Sequence, residues 1–282
     1  MKPVDMKKNL KFYLKDKLTE KELLFVPTSF DVVGDIMIFS EFPKELTKRE
    51  KLIGKTILEA YHHIKTILKK TKKYSGKFRT PKLKVIAGEK RKETVCKENG
   101  ILLKLNVEKA YYSPRMSSER KRIAELINKN ESVLVMFSGS GVYPLVIAKN
   151  TECKEVYGIE INPDAHKFGL ENIKKNKLGN KINLFLGDVN KILPKLNKKF
   201  DRIVMPLPKG GENFLNLALE FIKRNGTIHF YDFLHENEFH KAKGKTEDAC
   251  KKSGKKCKIL KIVKCGQYSP GFFRICADFE VY

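Results

Sequence analysis

The chain has 282 residues, 41% of them hydrophobic, and carries 58 Lys and Arg against 33 Asp and Glu, a formal charge of +25. This length and apolar content suffice for one large or two ordinary domains. Because no run of about 18 apolar residues occurs and the basic amino terminus lacks the apolar core of a signal peptide, we predict a soluble, cytoplasmic protein without a membrane-spanning segment.

The net charge indicates the class of partner, and the cysteine spacing indicates whether a metal site is present. A charge of +25 exceeds what solubility requires and favours a polyanion. Nucleic acid fits best, because a basic surface with aromatic residues can pair phosphates and stack unpaired bases. A lysine-rich, thermophilic composition is the alternative explanation. The six cysteines form no C-x-x-C pair and no histidine lies at zinc spacing, so we expect reduced packing residues and no metal site.

Residues 1–110 predict a small α+β domain. The first ~24 residues are typical of a basic helix, and alternating apolar residues on both sides of Gly34 and Asp35 predict a hairpin. Leucine and isoleucine at helical spacing predict a helix over 45–70. The polar segment 71–76 is interpreted as a break. Short strands are expected within 78–88, 91–100 and 101–112.

Residues 111–282 predict an α/β domain, since apolar strands alternate with helical segments from about Ser117. Strands are expected near 132–137, 155–160, 182–186, 202–205 and 227–231. Helices are expected near 117–129, 142–150, 164–176, 212–224 and 236–252. Two further apolar stretches end the chain with no room for a helix between them. We therefore predict a doubly wound sheet with a C-terminal antiparallel hairpin at its edge, as in class I methyltransferases.

The segment 133–162 predicts a nucleotide-binding strand–turn–helix–strand unit. Gly139 and Gly141 lie in the turn, and Glu160 closes the next strand at a distance suited to both ribose hydroxyls. Dinucleotide-binding turns carry a third glycine, whereas Pro144 stands at that position here and the turn has no basic residue. This favours an adenosine ligand without phosphates, such as S-adenosylmethionine. Asp188, after the third strand, is expected to accept a hydrogen bond from the adenine amino group.

The fourth strand of this domain ends in MPLPK, where Pro206 and Pro208 fix the backbone and remove N–H donors. The carbonyl groups of such a rigid turn suit a planar base that bears an amine. A merely rigid strand-to-helix loop is the alternative interpretation.

Several segments together resemble a known enzyme family. The segments AYYSPRMSSERKRI, VMFSGSG, YGIEINPDAHKFGLENIKKNK, MPLPK, GTIHFYDF, PTSFDVVGDI and GKFRTPKLKVIAGE are similar to the archaeal and eukaryotic tRNA (guanine-N1)-methyltransferases that modify the purine 3′ of the anticodon, and to their wyosine-pathway relatives. The similarity runs from about Leu24 to the C-terminus. It implies a class I methyltransferase fold, S-adenosyl-L-methionine as cofactor, the tRNA anticodon loop as partner, and a monomer.

The resemblance also implies roles for individual residues. Glu119 matches the proposed general base, and Arg79 matches an arginine that supports the site of the transferred proton. Guanine N1 is protonated at neutral pH, so a carboxylate must remove its proton while a cation stabilises charge growing on O6. Tyr111 and Pro208 match positions that line the methionine end of the cofactor and the target base, and Pro206 opens the same turn. The expected cofactor contacts are Tyr111, Arg115, Phe137, Gly139, Gly141, Glu160 and Asp188.

Two positions depart from the family pattern and leave the acceptor open. Val135 stands where the family usually has Asp, and Pro206 stands where it usually has Asn. An archaeal subgroup with a P-L-P-K turn methylates a carbon of the tricyclic 4-demethylwyosine intermediate on phenylalanine tRNA, in some members alongside guanine N1. The alternatives are transfer of an aminocarboxypropyl group from the same cofactor and a non-catalytic tRNA-binding protein.

Overall fold

The structure is a computed structural model that describes residues 9–76 and 78–282. The chain divides into two compact units, the first made of Met1–Lys97 and Leu103–Pro114 and the second of Glu98–Leu102 and Arg115–Tyr282. The expected boundary at residue 110 falls inside the last segment of the first unit. Among the described residues, every helix is too short or too polar to cross a bilayer.

The first unit contains a four-stranded sheet with helices. Its helices are α1 (Leu10–Leu14), α2 (Glu20–Leu24) and α3 (Glu50–Ala60), preceded by a 3-10 turn at Lys44–Arg49, and its strands are β1 (Asp31–Val33), β2 (Ile36–Phe39), β3 (Thr66–Ser75) and β4 (Thr80–Gly88). The sheet order is β1-β2-β3-β4, with β2 and β3 parallel. Strands β1 and β2 pair antiparallel on either side of Gly34 and Asp35, which confirms the predicted hairpin.

Three predictions in this unit are wrong. The helix expected over 45–70 ends at Ala60, and the expected break at 71–76 lies largely within β3. Ile67 and Leu68 are adjacent and both fully buried, a pattern that suits a strand covered on two faces rather than one helix face. In the described part of the first 24 residues, a single helix is replaced by α1 and α2, because Thr19 and Glu22 form a capping box that starts a new helix.

A hairpin of β5 (Glu93–Glu98) and β6 (Ile101–Asn106) connects the two units in sequence. Its turn residues Asn99 and Gly100 both have positive φ, as a two-residue type I′ turn requires. The tip belongs to the second unit, where the Asn99 side chain donates to the Ser117 carbonyl at 2.9 Å and Asn150 donates to the Asn99 carbonyl at 2.9 Å.

The second unit is built on a seven-stranded sheet. Its strands are β7 (Ser132–Met136), β8 (Glu155–Glu160), β9 (Ile182–Leu186), β10 (Phe200–Met205), β11 (Ile222–His235), β12 (Cys257–Ser269) and β13 (Phe272–Val281). Its helices are α4 (Ser117–Glu125), α5 (Val142–Asn150), α6 (Pro163–Asn176), α7 (Val189–Ile192), α8 (Leu215–Phe221) and α9 (His240–Lys252). The helix expected near 212–224 is shorter because a 3-10 turn occupies Gly211–Phe214 and β11 already begins at Ile222.

The strand order is β12-β13-β11-β10-β7-β8-β9. Strands β7 to β11 run parallel to their neighbours among themselves, and β13 is antiparallel to both β11 and β12. This arrangement confirms the doubly wound sheet with an antiparallel C-terminal hairpin at its edge. The order reverses between β7 and β10, so the turns that follow these two strands border the crevice in which open α/β sheets bind ligands.

Candidate active site

The turn after β7 is held in left-handed backbone conformations. Phe137, Gly139 and Gly141 have φ values of 64°, 59° and 80°. Gly141 also lies against α6, since a Cβ atom there would come within 3.4 Å of the Gly169 Cα. The positive backbone angle favours glycine at this position, and α6 lies at van der Waals distance from it.

Glu160 is fastened to this turn by main-chain hydrogen bonds. Gly139 N–H donates to Glu160 Oε2 at 2.6 Å, and Asn162 N–H donates to Oε1 at 2.8 Å. The residue is 9% exposed, and burial raises the pKa of its carboxyl group although the N–H groups of Asn162 and Gly139 act in the opposite direction. These bonds fix the orientation of a carboxylate whose remaining acceptor capacity suits ribose hydroxyls.

Asp188 lies at the same edge of the sheet. The N–H of the preceding Gly187 donates to the Glu160 carbonyl at 2.9 Å, which joins the ends of β8 and β9. The Asp188 carboxylate caps α7 and accepts from the Asn190 N–H at 2.9 Å. These groups therefore fit an adenosine. Two hydrogen-bond-accepting carboxylates follow adjacent strands, and the residues of the turn from Phe137 to Gly141 carry no charge that would hold a phosphate.

The proline turn follows the strand adjacent to β7. Leu207 N–H donates to the Met205 carbonyl at 2.7 Å, so the residue between the two prolines is held in a tight turn, and both Pro206 and Pro208 are half-buried. Farther along this loop, the ring of Phe214 meets that of Phe137 edge-on with centroids 5.0 Å apart. The expected acceptor turn and the glycine turn are thus brought together.

Glu119 is a buried partner of two side chains and not a plain helix-terminus carboxylate. It is 4% exposed. Arg122 donates to both of its oxygens, at 2.7 and 2.8 Å, and the Tyr231 hydroxyl donates to Oε1 at 2.6 Å. Tyr143, in the first turn of α5, lies 3.1 Å from Tyr231 between hydroxyl oxygens. Glu119 is therefore connected to the helix that starts after Gly141.

The polar network continues into the sheet through residues that sequence reasoning missed. Arg122 Nη1 donates to Asp278 Oδ2 at 2.6 Å, and His229 Nδ1 lies 2.6 Å from Asp278 Oδ1. On its other side, His229 Nε2 accepts from Arg202 at 2.9 Å. Burial lowers the pKa of His229, and although burial alone would raise the pKa of Asp278, its bonds to His229 and Arg122 keep it well below its usual range. A neutral histidine thus donates to an ionised aspartate.

His229, Cys276 and Asp278 offer ligand atoms within 4.8 Å of one another, which is close enough for a metal ion. The guanidinium groups of Arg122 and Arg202 already bond to this cluster. Their positive charge opposes a further cation at short range. The only signal in the sequence was the presence of polar residues within otherwise apolar strands, as in GTIHFYDF and CADFEVY.

The three remaining expected residues are Arg79, Tyr111 and Arg115. Arg79 and Tyr111 belong to the first unit, where Tyr111 is 40% exposed and lines a small cavity together with Asp31 and Lys70. Arg79 has a φ of 48°, an uncommon conformation for a long side chain that is often found at functional positions. Arg115 is exposed in the 3-10 turn Pro114–Met116.

Two family models match most of this chain. The family model of the TRM5/TYW2 methyltransferase domain matches residues 94–260, and that of the TYW2 N-terminal domain matches residues 10–91. The tRNA (guanine(37)-N(1))-methyltransferase Trm5b of Pyrococcus abyssi is 39% identical over 260 residues, covering 91% of this chain and 76% of the relative.

Two further matches are a second relative and a solved structure. The tRNA(Phe) (4-demethylwyosine(37)-C(7)) aminocarboxypropyltransferase of Methanocaldococcus jannaschii is 34% identical, covering 88% of this chain and 96% of the relative. The solved complex of aTrm5 and tRNALeu superposes with a TM-score of 0.86 at 31% identity, covering 98% of this chain and 79% of that one. With a family model over more than half of its length and a 39% identical relative along most of both chains, the chain belongs to the TRM5/TYW2 methyltransferase family.

Proposed function

We propose that the protein transfers a methyl group from S-adenosyl-L-methionine to the purine at position 37 of tRNA. The acceptor is guanine N1, the C7 carbon of the 4-demethylwyosine or isowyosine-type intermediate, or both. The observation that carries the proposal is the Glu160 carboxylate, which accepts from Gly139 N–H at the crevice that the Pro206–Pro208 turn also borders. Family membership supplies the reaction class.

The chemistry assigned to the chain is positioning and proton removal. Glu160 and Asp188 hold the adenosine, and the carbonyl groups of the proline turn orient the acceptor base. Glu119 takes the N1 proton of guanine or orients the group that does, and Arg79 stabilises the charge that grows on O6. The cofactor, when bound, supplies an electrophilic methyl group for in-line displacement. Val135 is fully buried in β7 and offers no carboxylate to the cofactor's amino acid portion.

Two lysine-rich parts of the chain can contact RNA phosphates. We assign phosphate binding to lysines of the amino-terminal domain, residues 1–110, and of the segment 241–258, and keep a cytoplasmic monomer as the working state. Aminocarboxypropyl transfer is the second candidate, favoured by the 34% identical Methanocaldococcus jannaschii relative. The masses of the products separate the two, since a methyl group adds ~14 Da and an aminocarboxypropyl group ~101 Da.

The test is mass spectrometry of anticodon-loop nucleosides after incubation with unmodified tRNA and with tRNA that carries the tricyclic base. We expect a ~14 Da addition, which Glu119→Gln slows by about 10²–10⁴-fold on guanine because the proton acceptor is removed. Glu125→Gln is the matched control: this glutamate is on the same helix with its side chain 63% exposed. Near-parental guanine methylation by Glu119→Gln would contradict the role of Glu119. A product of ~101 Da would replace the methyl-transfer proposal.

A further inference from the structure

The final hairpin extends the sheet beyond the crevice. The last residue of β10, Met205, pairs with Phe230, but β11 continues through Tyr231–His235, where it pairs with β13 as far as Phe272. At ~3.4 Å per residue, this extension is about 17 Å long. Because β11 is parallel to β10 and β7, the extension lies on the side of the sheet at which the glycine and proline turns are found.

The extension carries a cluster of aromatic and cationic side chains. The rings of Phe233 and Tyr268 have centroids 4.3 Å apart, and the guanidinium of Arg274 lies 5.2 Å from the Phe233 centroid. The rings of His235 and Phe272 meet edge-on at 5.2 Å. Tyr268 is nevertheless 67% exposed and Phe272 42% exposed. These five residues, which we call the hairpin platform, present large ring surfaces to solvent.

The tip of the platform is a tight turn. Pro270 and Gly271 connect β12 to β13, with Gly271 at a φ of 73°, as in a tight Pro-Gly turn. A Cβ atom at Gly271 would come within 2.6 Å of His235 Nε2, so the turn lies directly against the imidazole. Glu236 N–H donates to the Gly271 carbonyl at 2.9 Å. Rings already ordered in this way lose little conformational freedom when they bind a planar ligand.

Lysines lie along the edge strand that carries Tyr268. Lys264 lies 4.4 Å from the ring centroid of Phe273 and 3.8 Å from the Glu236 carboxylate, and Lys258 and Lys261 are exposed farther along the strand. Lysines on an edge strand commonly prevent pairing with another sheet. This role would be enough to explain the lysines if no aromatic rings were present. Protection against pairing does not explain exposed aromatic rings at the same edge, which favour association. Exposed rings can stack on unpaired bases, and neighbouring cations can pair with the phosphates of the same strand.

We propose that the hairpin platform is an RNA-binding surface on which an unpaired base of the substrate stacks against Tyr268. The proposal rests on the proposed function in that the RNA is tRNA, and it adds a contact surface that none of the site residues above supplies. Unpaired bases have two free faces, whereas paired bases are stacked within their helix. The surface therefore discriminates loop from stem.

The test is the affinity for an unmodified tRNA transcript, measured by fluorescence anisotropy. We expect Tyr268→Ala to weaken binding roughly 5- to 150-fold, the equivalent of ~1–3 kcal/mol for the stacking of one base. Tyr268→Phe retains the ring and should bind like the parent. Affinity for a fully paired RNA duplex should be unchanged in both variants.

The matched control is Tyr282→Ala. Tyr282 is 47% exposed and follows β13 at the other end of the strand from the platform. The proposal would be overturned if Tyr268→Ala bound tRNA as tightly as the parent, or if Tyr268→Ala and Tyr282→Ala lost equal affinity. It would also be overturned if the parent formed concentration-dependent dimers that Tyr268→Ala abolished without any change in RNA affinity. If tRNA binding depends on Tyr268 but no methyl group is transferred, the RNA-binding role of the platform is supported and the proposed methyltransferase function is rejected. If methyl transfer occurs but tRNA affinity does not depend on Tyr268, the proposed function is supported and the platform's role is rejected.

Discussion

The carboxylate of Glu160 is oriented before any ligand contacts it. Gly139 and Asn162 donate main-chain hydrogen bonds to its two oxygens. Hydrogen bonds to a charged group are worth ~1.5–3 kcal/mol, more than those between neutral groups. A neutral amide in this place would direct an N–H₂ group at one of the two N–H donors. The site is therefore selective for a carboxylate and not simply for a polar side chain.

Replacing this carboxylate should affect the cofactor directly. We expect Glu160→Gln to weaken S-adenosylmethionine binding by about 10- to 150-fold, as lost charged hydrogen bonds imply, in isothermal titration calorimetry. Glu155→Gln is the control, because Glu155 lies at the opposite end of the same strand and pairs with Lys198. Unchanged affinity in Glu160→Gln would refute the assignment of this residue to the ribose.

The same residue links pH to binding and to stability. Burial raises the pKa of Glu160, so protonation should weaken cofactor binding at a higher pH than for an ordinary glutamate, and Glu160→Gln should lack this dependence. For folding the sign is opposite. A carboxyl group whose pKa is higher in the folded protein contributes stability below its unfolded pKa and loses it as pH rises through the folded value.

At the scale of elements, the glycine turn is held in place by a packing contact between strands and helices. The Leu184 side chain of β9 fills a hollow left open by Gly141, Gly158 and Gly169. A Cβ atom at Gly158 would come within 2.4 Å of Leu184 Cδ2 and 3.0 Å of Ser138 Cβ. Because Ser138 belongs to the turn itself, the position of the turn depends on this contact.

A methyl group in that hollow should therefore destabilise the second unit. We expect Gly158→Ala to lower the free energy of unfolding by ~1–3 kcal/mol through overpacking, as measured by chemical denaturation. Gly244→Ala is the matched control. Gly244 lies within α9, and a Cβ atom there would meet no neighbour within 4 Å, so alanine should stabilise by ~0.5–1 kcal/mol through helix propensity. Equal stability of Gly158→Ala and the parent would contradict the packing argument.

At the scale of the whole molecule, the charge of +25 affects how the protein associates with charged partners and does not determine its fold. Cations that neutralise phosphates release condensed counterions, so RNA affinity becomes dependent on salt. S-adenosylmethionine, which has no phosphates, provides an internal comparison in the same protein. The two ligands thus report separately on the protein surface and on the crevice.

We expect tRNA affinity to fall by about 10³–10⁵ between ~50 and ~200 mM salt if six to ten phosphates are contacted. Cofactor affinity should change by less than about threefold over the same range, because its binding releases few counterions. Anisotropy for tRNA and calorimetry for the cofactor check these expectations. A salt-insensitive tRNA affinity would favour the alternative that the lysines reflect a lysine-rich composition.

Sequence alone determined the features that depend on local periodicity and spacing. These include the alternating strands and helices of the second unit, the glycine turn with Glu160, and the final hairpin, because each has its signal within a short segment. The helix expected over 45–70 was wrong where it overlapped β3, since the long-range pairing of Thr66–Ser75 with β2 and β4 outweighed the helical spacing of its residues.

Only the tertiary structure decided which distant polar groups meet. Arg122 and Asp278 are 156 positions apart, and His229 and Asp278 are 49 apart, yet their side chains form one network with Glu119. The hairpin platform likewise depends on the register that places Phe233 beside Arg274. Such contacts have no periodic signal in the chain, because they arise when buried polar groups must find partners as elements far apart in sequence pack together.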